Sequence, residues 1–492
     1  MSVNPSDLYL RTTNTTNPNQ VPLPIRTEDL ATGLSVNTTL DLEKQHGNAD
    51  LIRAVSILGI GGPFRVIDPW TLEDPDGHQL INAGGYAALP FGDSYPPLMQ
   101  FIFNFLESNN SMGLPQQAAS DWRAALETNL VSLLAREAPS HADSGVFFSN
   151  SGAEAVETAV KFARGSQPKS KYIINFTAAY HGKTLGALSL TPNPELQAPF
   201  APLIPGVITL PYGDPNILET TILKSSASSI AAIVLEPIQG EAGVVIPPPE
   251  FLPAVAKISR EHGIMVIADE VQTGLGRTGH HFASIAGGLE PDIITLAKPL
   301  GGGLIPVGAT IVRRPIYKKV LGGLESKRHS NTFGGGSLAM AIALKSLELI
   351  IDENLAEKSQ QNGKIGLTKL EEIRKRHPAF IRSVRGAGML FGIELHSVIP
   401  SYVLPVGDDT VRTLSTGLAV RELHLGGVHA CFSLNASSVL RLTPPLNIPD
   451  TLFSEMFTRI TNVSQTNRSS WRMLRRMPSK RLLRLARLAI KR

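Results

Sequence analysis

Lys298 stands at the end of the apolar run "PDIITLAK" and is followed by Pro-Leu and three glycines. A lysine held in apolar surroundings at a sheet edge loses basicity, and its free amine can form a Schiff base with a carbonyl compound. Earlier in the chain, "GIMVIADE" ends in Asp269 and Glu270, at the strand end where open α/β sheets bind ligands. A carboxylate there can salt-bridge a cationic ring nitrogen. Tyr180 and His181 follow "KYIINF" at a turn, and an aromatic so placed can stack on a flat ring. In "VFFSNSGAEAVETAVKFAR", Ser151 and Gly152 bring a hydroxyl and close-approaching backbone N–H groups to the start of a helix beginning near Ala153. That is a natural phosphate site.

Each piece has a plainer reading. Ser151 suits an ordinary helix cap, with Glu157 and Lys161 as a surface i,i+4 pair. Tyr180-His181 suits packing, and Lys298 suits a lysine snorkelling past a glycine turn. Their order argues otherwise. Phosphate turn, ring stacker, strand-end acid and strand-end lysine follow one another across about 150 residues, and pyridoxal phosphate requires that set.

A rival motif overlaps them. Gly274, Gly276 and Gly279 have the G-x-G-x-x-G spacing of a dinucleotide turn, with Asp292 downstream as the ribose acid. A fingerprint strand runs straight into its first glycine, with no charge to repel pyrophosphate. Here Asp-Glu-Val-Gln-Thr intervenes, and "HHFASIAGGLEP" makes a poor phosphate-facing helix. The glycines are read as a decoy. His280-His281 is set aside as a metal site, because neighbours on extended backbone point oppositely and no carboxylate or cysteine cluster supports them. No metal is expected.

The elements that must position these residues show as six short apolar runs between about residues 140 and 313: "GVFFSN", "KYIINF", "IAAIVLEP", "GIMVIADE", "PDIITLA" and "VGATIV". Several are apolar on both faces, as in strands buried in a mostly parallel sheet, so an α/β domain with helices on both sides is expected. From residue 337 to His377 the periodicity is helical. "FIRSVRGAGMLFGIEL" and "SSVLRLTPP" then read as strands of a smaller α+β domain. The expected division is an Asn-, Thr- and Pro-rich arm over 1–50, part of the small domain over 51–95, a large domain over 96–345, the rest of the small domain over 346–463, and a basic tail over 464–492.

The 492 residues, 42% hydrophobic and 18% charged, suit a soluble chain of two or more domains. Cys431 is the only cysteine, which excludes a disulfide framework and a cysteine-based zinc site and points to a reducing compartment. With no signal peptide or membrane-spanning run in view, a cytoplasmic location is expected. The net charge of +4 misleads. Arg468 to Arg492 hold ten Lys/Arg and no acid, so the body has 36 basic residues against 42 acidic ones.

These motifs together resemble the class III pyridoxal-phosphate aminotransferases of fold type I, from about Gly62 to Ile460. The resemblance implies that Lys298 carries the cofactor as a Schiff base and moves the proton, and that Asp269 salt-bridges the pyridine nitrogen. It implies that Gln272 contacts the ring hydroxyl, that Tyr180 stacks on the ring with His181 beside it, and that Ser151, Gly152 and Ala153 hold the phosphate. In "HSNTFGGGSLA", Thr332 matches a threonine that reaches the neighbouring subunit's phosphate, so a homodimer with shared active sites is implied. The family usually continues Gly-Gly-Asn-Pro there; this chain has Gly335-Gly336-Ser337-Leu338.

For the substrates, Glu241 of "EPIQGEAGV" would pair with Arg441 of "VLRLTPPLNI", and the arginine would turn to clamp the carboxylate of glutamate or 2-oxoglutarate. Tyr86 matches an active-site aromatic, and the usual Gly-His nearby is Gly92-Asp93. Ornithine- and acetylornithine-type members carry His-Gly-Arg where this chain has His181-Gly182-Lys183, and lysine lacks the forked carboxylate contact. "HGKTLGALSLT", "PFAPLIPG" and "EAGVVIPPPEFL" look most like putrescine aminotransferases, so a terminal amine donor with a keto-acid or aldehyde acceptor is expected. The alternatives are an ornithine-type amino acid donor, a racemase, aminomutase or decarboxylase on the same cofactor, or an inactive scaffold. After Pro478 the tail puts Lys480, Arg484, Arg487 and Lys491 on one helical stripe and Leu482, Leu485 and Ala489 on another. This reads as a basic amphipathic helix for an anionic membrane surface or an acidic partner, with no nucleic acid expected.

Overall fold

The computed structural model describes residues 25–30, 33–111, 113, 118–396, 408–467, 473 and 475–477. The arm expected over 1–50 is corrected in its second half. Helix α1 (Val36–His46) forms there and α2 (Ala49–Leu58) follows, started by Ser35 and Asn48, whose side chains accept from Thr38 N and Leu51 N. The Asn and Thr content that reads as a loop is in part cap chemistry. Gly59, at φ 74°, ends α2. Strands β1 (Arg65–Asp68), β2 (Thr71–Glu73) and β3 (Gln79–Asn82) then form an antiparallel meander.

Burial on both faces builds the large domain. In β4 (Gly145–Ser149) every residue is buried, Phe147 in one apolar cluster and Val146 and Phe148 in another. β5 (Tyr172–Phe176) repeats the alternation, with Ile173 on Phe147's side and Ile174 and Phe176 on the other. Side chains that alternate with period two and are apolar at every position need a layer on each face. Fully burying each such Ile, Val or Phe contributes roughly 1.5–3 kcal/mol. With β6 (Val207–Leu210), β7 (Ile230–Leu235), β8 (Met265–Asp269), β9 (Ile293–Leu296) and β10 (Gly308–Val312) the sheet has the order β4-β10-β9-β8-β7-β5-β6. Every pair from β6 across to β9 is parallel, and β10 alone runs against its neighbours. The edge strand β6, incompletely buried, is the one sequence reading missed.

Helix α3 (Asp121–Glu137) packs on one face; α4 (Gly152–Ser166) covers β9 and β10 on the other. The helical stretch after residue 337 is two helices, α5 (Ser337–Asp352) and α6 (Leu355–Arg376), broken at Asn354 with φ 53°. α5 packs on α3 and on the turn at Lys298–Gly301, so the boundary drawn at 345 falls inside a helix of the large domain.

The small domain is an antiparallel sheet of β11 (Ile381–Ala387), β12 (Leu390–Leu395), β14 (Cys431–Phe432) and β15 (Val439–Leu442), in the order β11-β12-β15-β14. Helices α7 (Asp408–Leu425) and α8 (Asp450–Thr466) complete it. The short β13 (Val428–His429) pairs in parallel with β3 and so joins the N-terminal meander to this half of the chain. In the basic segment, Met473 and Met477 are buried in the main core, and Arg476 reaches Glu422 at 3.5 Å. The stripe read after Pro478 lies outside the described residues. Among the described residues no helix is long and apolar enough to cross a membrane.

Candidate active site

The C-terminal ends of β4, β5, β7, β8 and β9 open onto one cavity of about 770 Å³, lined by residues that follow each of them in the chain. After β4 come Ser151, Gly152 and Ala153; after β5, Tyr180 and His181; after β7, Glu236 and Glu241; at the end of β8, Asp269 and then Gln272; after β9, Lys298. The antiparallel β10 enters from the opposite direction, so the segment before it, Gly303–Val307, lines the cavity too.

Asp269 is buried and fully engaged. Oδ1 accepts from Val271 N (3.1 Å) and Thr295 Oγ1 (3.2 Å), and Oδ2 lies 2.7 Å from His181 Nδ1. Burial works against the charged form of His181, but the hydrogen bond and charge of Asp269, with Glu236 behind them, hold its pKa above the usual imidazole value. His181 Nε2 is buried with no hydrogen-bond partner among the described residues. Glu236 is also buried; it accepts from Tyr180 N (2.9 Å) and Gly240 N (3.2 Å), and burial lifts its carboxyl to about 7.

Lys298 has a left-handed backbone, φ 35°, at the start of the turn after β9. Burial pulls its pKa below the ordinary lysine value, opposed in part by Glu241, Asp269 and Glu236. Its amine is therefore more available as a nucleophile than a surface lysine's. Arg441, on β15 between Gly392 and Cys431, is fully buried at 0% exposure. Its Nη1 donates to Glu241 Oε1 and to Gln272 Oε1 (3.3 Å), while Nε and Nη2 have no partner among the described residues. Burial favours neutral forms of both partners, yet each charge outweighs it for the other: Glu241 is held below the usual carboxylate range and Arg441 above its ordinary value. Tyr86, at φ 51°, holds its ring 5.6 Å from the Arg441 guanidinium carbon and is 53% exposed.

At the far end of the cavity, Ser151 caps α4 by accepting from Glu154 N at 3.2 Å. The first helical amides, Gly152 N and Ala153 N, have no intrahelical acceptor and carry the positive end of the helix dipole. The turns close tightly around this end. A Cβ on Gly152 would come within 2.7 Å of Val271 Cγ1, and one on Gly182, at φ 129°, within 2.6 Å of Ala153 Cβ. An anion-binding helix start, a stacking aromatic, an engaged carboxylate and a basicity-lowered lysine fit a phosphorylated pyridine aldehyde.

Residues 68–463 match the family model described as aminotransferase class-III. The chain belongs to the class III aminotransferases. Three solved structures give the fold independently. An amine transaminase from an uncultivated Pseudomonas species, in its PLP-bound form, is 26% identical over 82% of this chain and 94% of its own, with a TM-score of 0.72. The ornithine aminotransferase of Toxoplasma gondii is 25% identical over 87% and 97%, TM-score 0.72. The acetylornithine aminotransferase of Elizabethkingia anophelis is 27% identical over 87% and 98%, TM-score 0.70. The enzyme's cofactor is pyridoxal phosphate.

In this aminotransferase nine of the sequence-derived positions, Ser151, Gly152, Ala153, Tyr180, His181, Glu241, Asp269, Gln272 and Lys298, line the one cavity. Arg441 joins through Glu241 and Gln272, and Tyr86 through Arg441. Thr332 does not line it. It is exposed, on a loop held to this chain's own β4 and α4 by Asn331 Nδ2 to Phe148 O (3.0 Å) and by His329 against Thr158 Oγ1 (2.9 Å) and Lys161 Nζ (2.7 Å). The reading of Glu157 and Lys161 as a mutual surface pair is corrected: Glu157 Oε1 accepts from Gly186 N at 3.0 Å, and Lys161 meets His329. The G-x-G-x-x-G loop fastens the two domains. Its buried Arg277 donates to Met389 O (3.0 Å) and Pro444 O (2.6 Å), and Asp292 accepts from Val266 N. Glu236 is a site residue to which the sequence alone assigns no role. Its only signal there is a charge placed directly after a fully apolar strand.

Proposed function

We propose that this aminotransferase takes an amino group from a terminal amine and passes it to a keto acid such as 2-oxoglutarate. Lys183 at the cavity rim carries the donor half of the reading. It is exposed and offers a point charge, which favours a donor with no carboxylate to be clamped beside the reacting amine. Buried Arg441, with Nε and Nη2 unpartnered among the described residues, carries the acceptor half, since a carboxylate can take the fork that Glu241 occupies on one side. An amine transaminase among the similar structures favours the same donor class, and the ornithine and acetylornithine enzymes keep an amino acid donor as the second reading.

Pyridoxal phosphate, when bound, supplies the carbonyl carbon that receives the amino group and a ring that accepts the electron pair left on the substrate carbon. The chain supplies position and proton transfer. Gly152 N, Ala153 N and Ser151 would hold the phosphate, Tyr180 would cover the ring, and Gln272 would reach the ring hydroxyl. Asp269, oriented by Val271 N, Thr295 Oγ1 and His181 Nδ1, would salt-bridge the ring nitrogen and hold the proton there. Lys298 Nζ, with its lowered pKa, would take the proton from the substrate carbon and return it one position away. The test is the visible spectrum of the loaded enzyme, followed while putrescine, cadaverine, ornithine, 4-aminobutyrate and glutamate are added in turn. Terminal amines should bleach the band fastest, and R441A should keep that half-reaction while losing most amination of 2-oxoglutarate. Ornithine and glutamate alone bleaching it would overturn the donor assignment.

A further inference from the structure

We infer that Asn435 is a positioning residue that fixes the Tyr180 turn from the small-domain side of the cleft. The turn needs outside support. Ala178 has φ 59°, a left-handed backbone that an alanine adopts only where its surroundings impose it. From beneath, Glu236 Oε1 accepts from Tyr180 N (2.9 Å) and Thr191 Oγ1 from His181 N (3.0 Å). From above, Asn435 Nδ2 donates to both Ala178 O (3.1 Å) and Ala179 O (3.2 Å). Those two carbonyls can only accept, so they fix which end of the amide faces them. Asn435 Oδ1 in turn accepts from Asn193 Nδ2 at 2.9 Å. The side chain thus spends its two hydrogens on the turn that presents Tyr180.

The same two-residue step holds the glutamate that pairs with Arg441. Leu434 N donates to Glu241 Oε2 (3.0 Å), and Asn435 N donates to the Glu241 carbonyl (2.9 Å). Asn435 lies between β14 and β15, whereas Ala178, Asn193 and Glu241 belong to the large domain. The segment therefore sets the large-domain turn and the carboxylate of the acceptor site from one point. This inference rests on the reading that Tyr180 covers the cofactor ring.

N435D is the decisive variant. It keeps the size, the main-chain bond and an acceptor for Asn193, but replaces both donations with a carboxylate facing two carbonyls. In the enzyme stripped of cofactor, the amides of residues 179–181 should exchange with deuterium on the order of 10-fold faster than in the wild type, as expected when local opening loses a pair of hydrogen bonds. In the loaded enzyme, the visible circular dichroism should fall and pyridoxal phosphate should leave faster by a similar factor. N435S, which retains one donor, should lie between the two and serves if N435D fails to fold. Wild-type exchange in the variants overturns the inference. Faster exchange with unaltered dichroism and cofactor release overturns it as well, leaving Asn435 a purely structural contact. A wild-type chain that gains no visible band with added pyridoxal phosphate instead defeats the reading of Tyr180, and the exchange result on the stripped chain still judges the contact itself.

Discussion

Glu236 is a site residue whose chemistry departs far from its surface behaviour. Its carboxyl sits at about 7 in the folded chain because burial strips its water, with only partial relief from His181 and from two backbone amides. The sign follows from the raised value. The unfolded carboxyl ionises above its ordinary 4.5 while the folded one stays protonated, so the associated stability is fully present below that pH. It is lost as pH rises through about 7, and the full shift corresponds to roughly 3 kcal/mol. E236Q, which cannot ionise, should lose this contribution: denaturant midpoints measured from pH 5 to 8 should fall more steeply, or rise less, with pH in the wild type than in the variant. Parallel curves would show that Glu236 is ionised throughout. The position of Glu236 beside Tyr180 also means the variant disturbs the turn, so the slope, and not the absolute midpoint, is the readout.

At the scale of elements, the site depends on how closely the turns after β4 and β5 approach one another. Gly182 is the tightest point, with φ 129° and no room for a Cβ against Ala153. G182A should cost on the order of 2–4 kcal/mol from backbone strain and overpacking. Chemical denaturation of the cofactor-free chain would measure it; a loss below about 0.5 kcal/mol, the scale of a surface change, would contradict the packing described. The strands themselves were readable because both-face burial leaves continuous apolar runs, and six of the seven large-sheet strands appear as such. β6 was not, because its outer residues stay partly exposed at the edge. Lys298 and Asp269 were readable because a charge at the end of an apolar strand is costly without a purpose. Asn435 was not. Nothing in "FSLNASSV" shows that a loop of the small domain reaches across to the carbonyls of Ala178 and Ala179, since such contacts depend on how the domains close.

At the scale of the molecule, one chain brings together a pocket that its own Thr332 does not enter. The loop bearing Thr332 carries Leu324 at 101% exposure and Phe333 at 75%, an apolar surface that suits burial against a second copy. We infer a homodimer in which each Thr332 reaches the other chain's phosphate site. Sedimentation of the loaded enzyme should give the mass of two chains, and L324E/F333E should give one chain with weakened cofactor retention; a wild type that sediments as a monomer while active would rule out shared sites. The chemistry of the site converges on one atom, Lys298 Nζ. The most direct measurement is to load the full chain with pyridoxal phosphate, reduce it with borohydride, digest it and locate the attached pyridoxyl group by mass spectrometry. The pyridoxyl group should be found on Lys298. Stoichiometric labelling at another lysine, or none at all, would contradict that assignment.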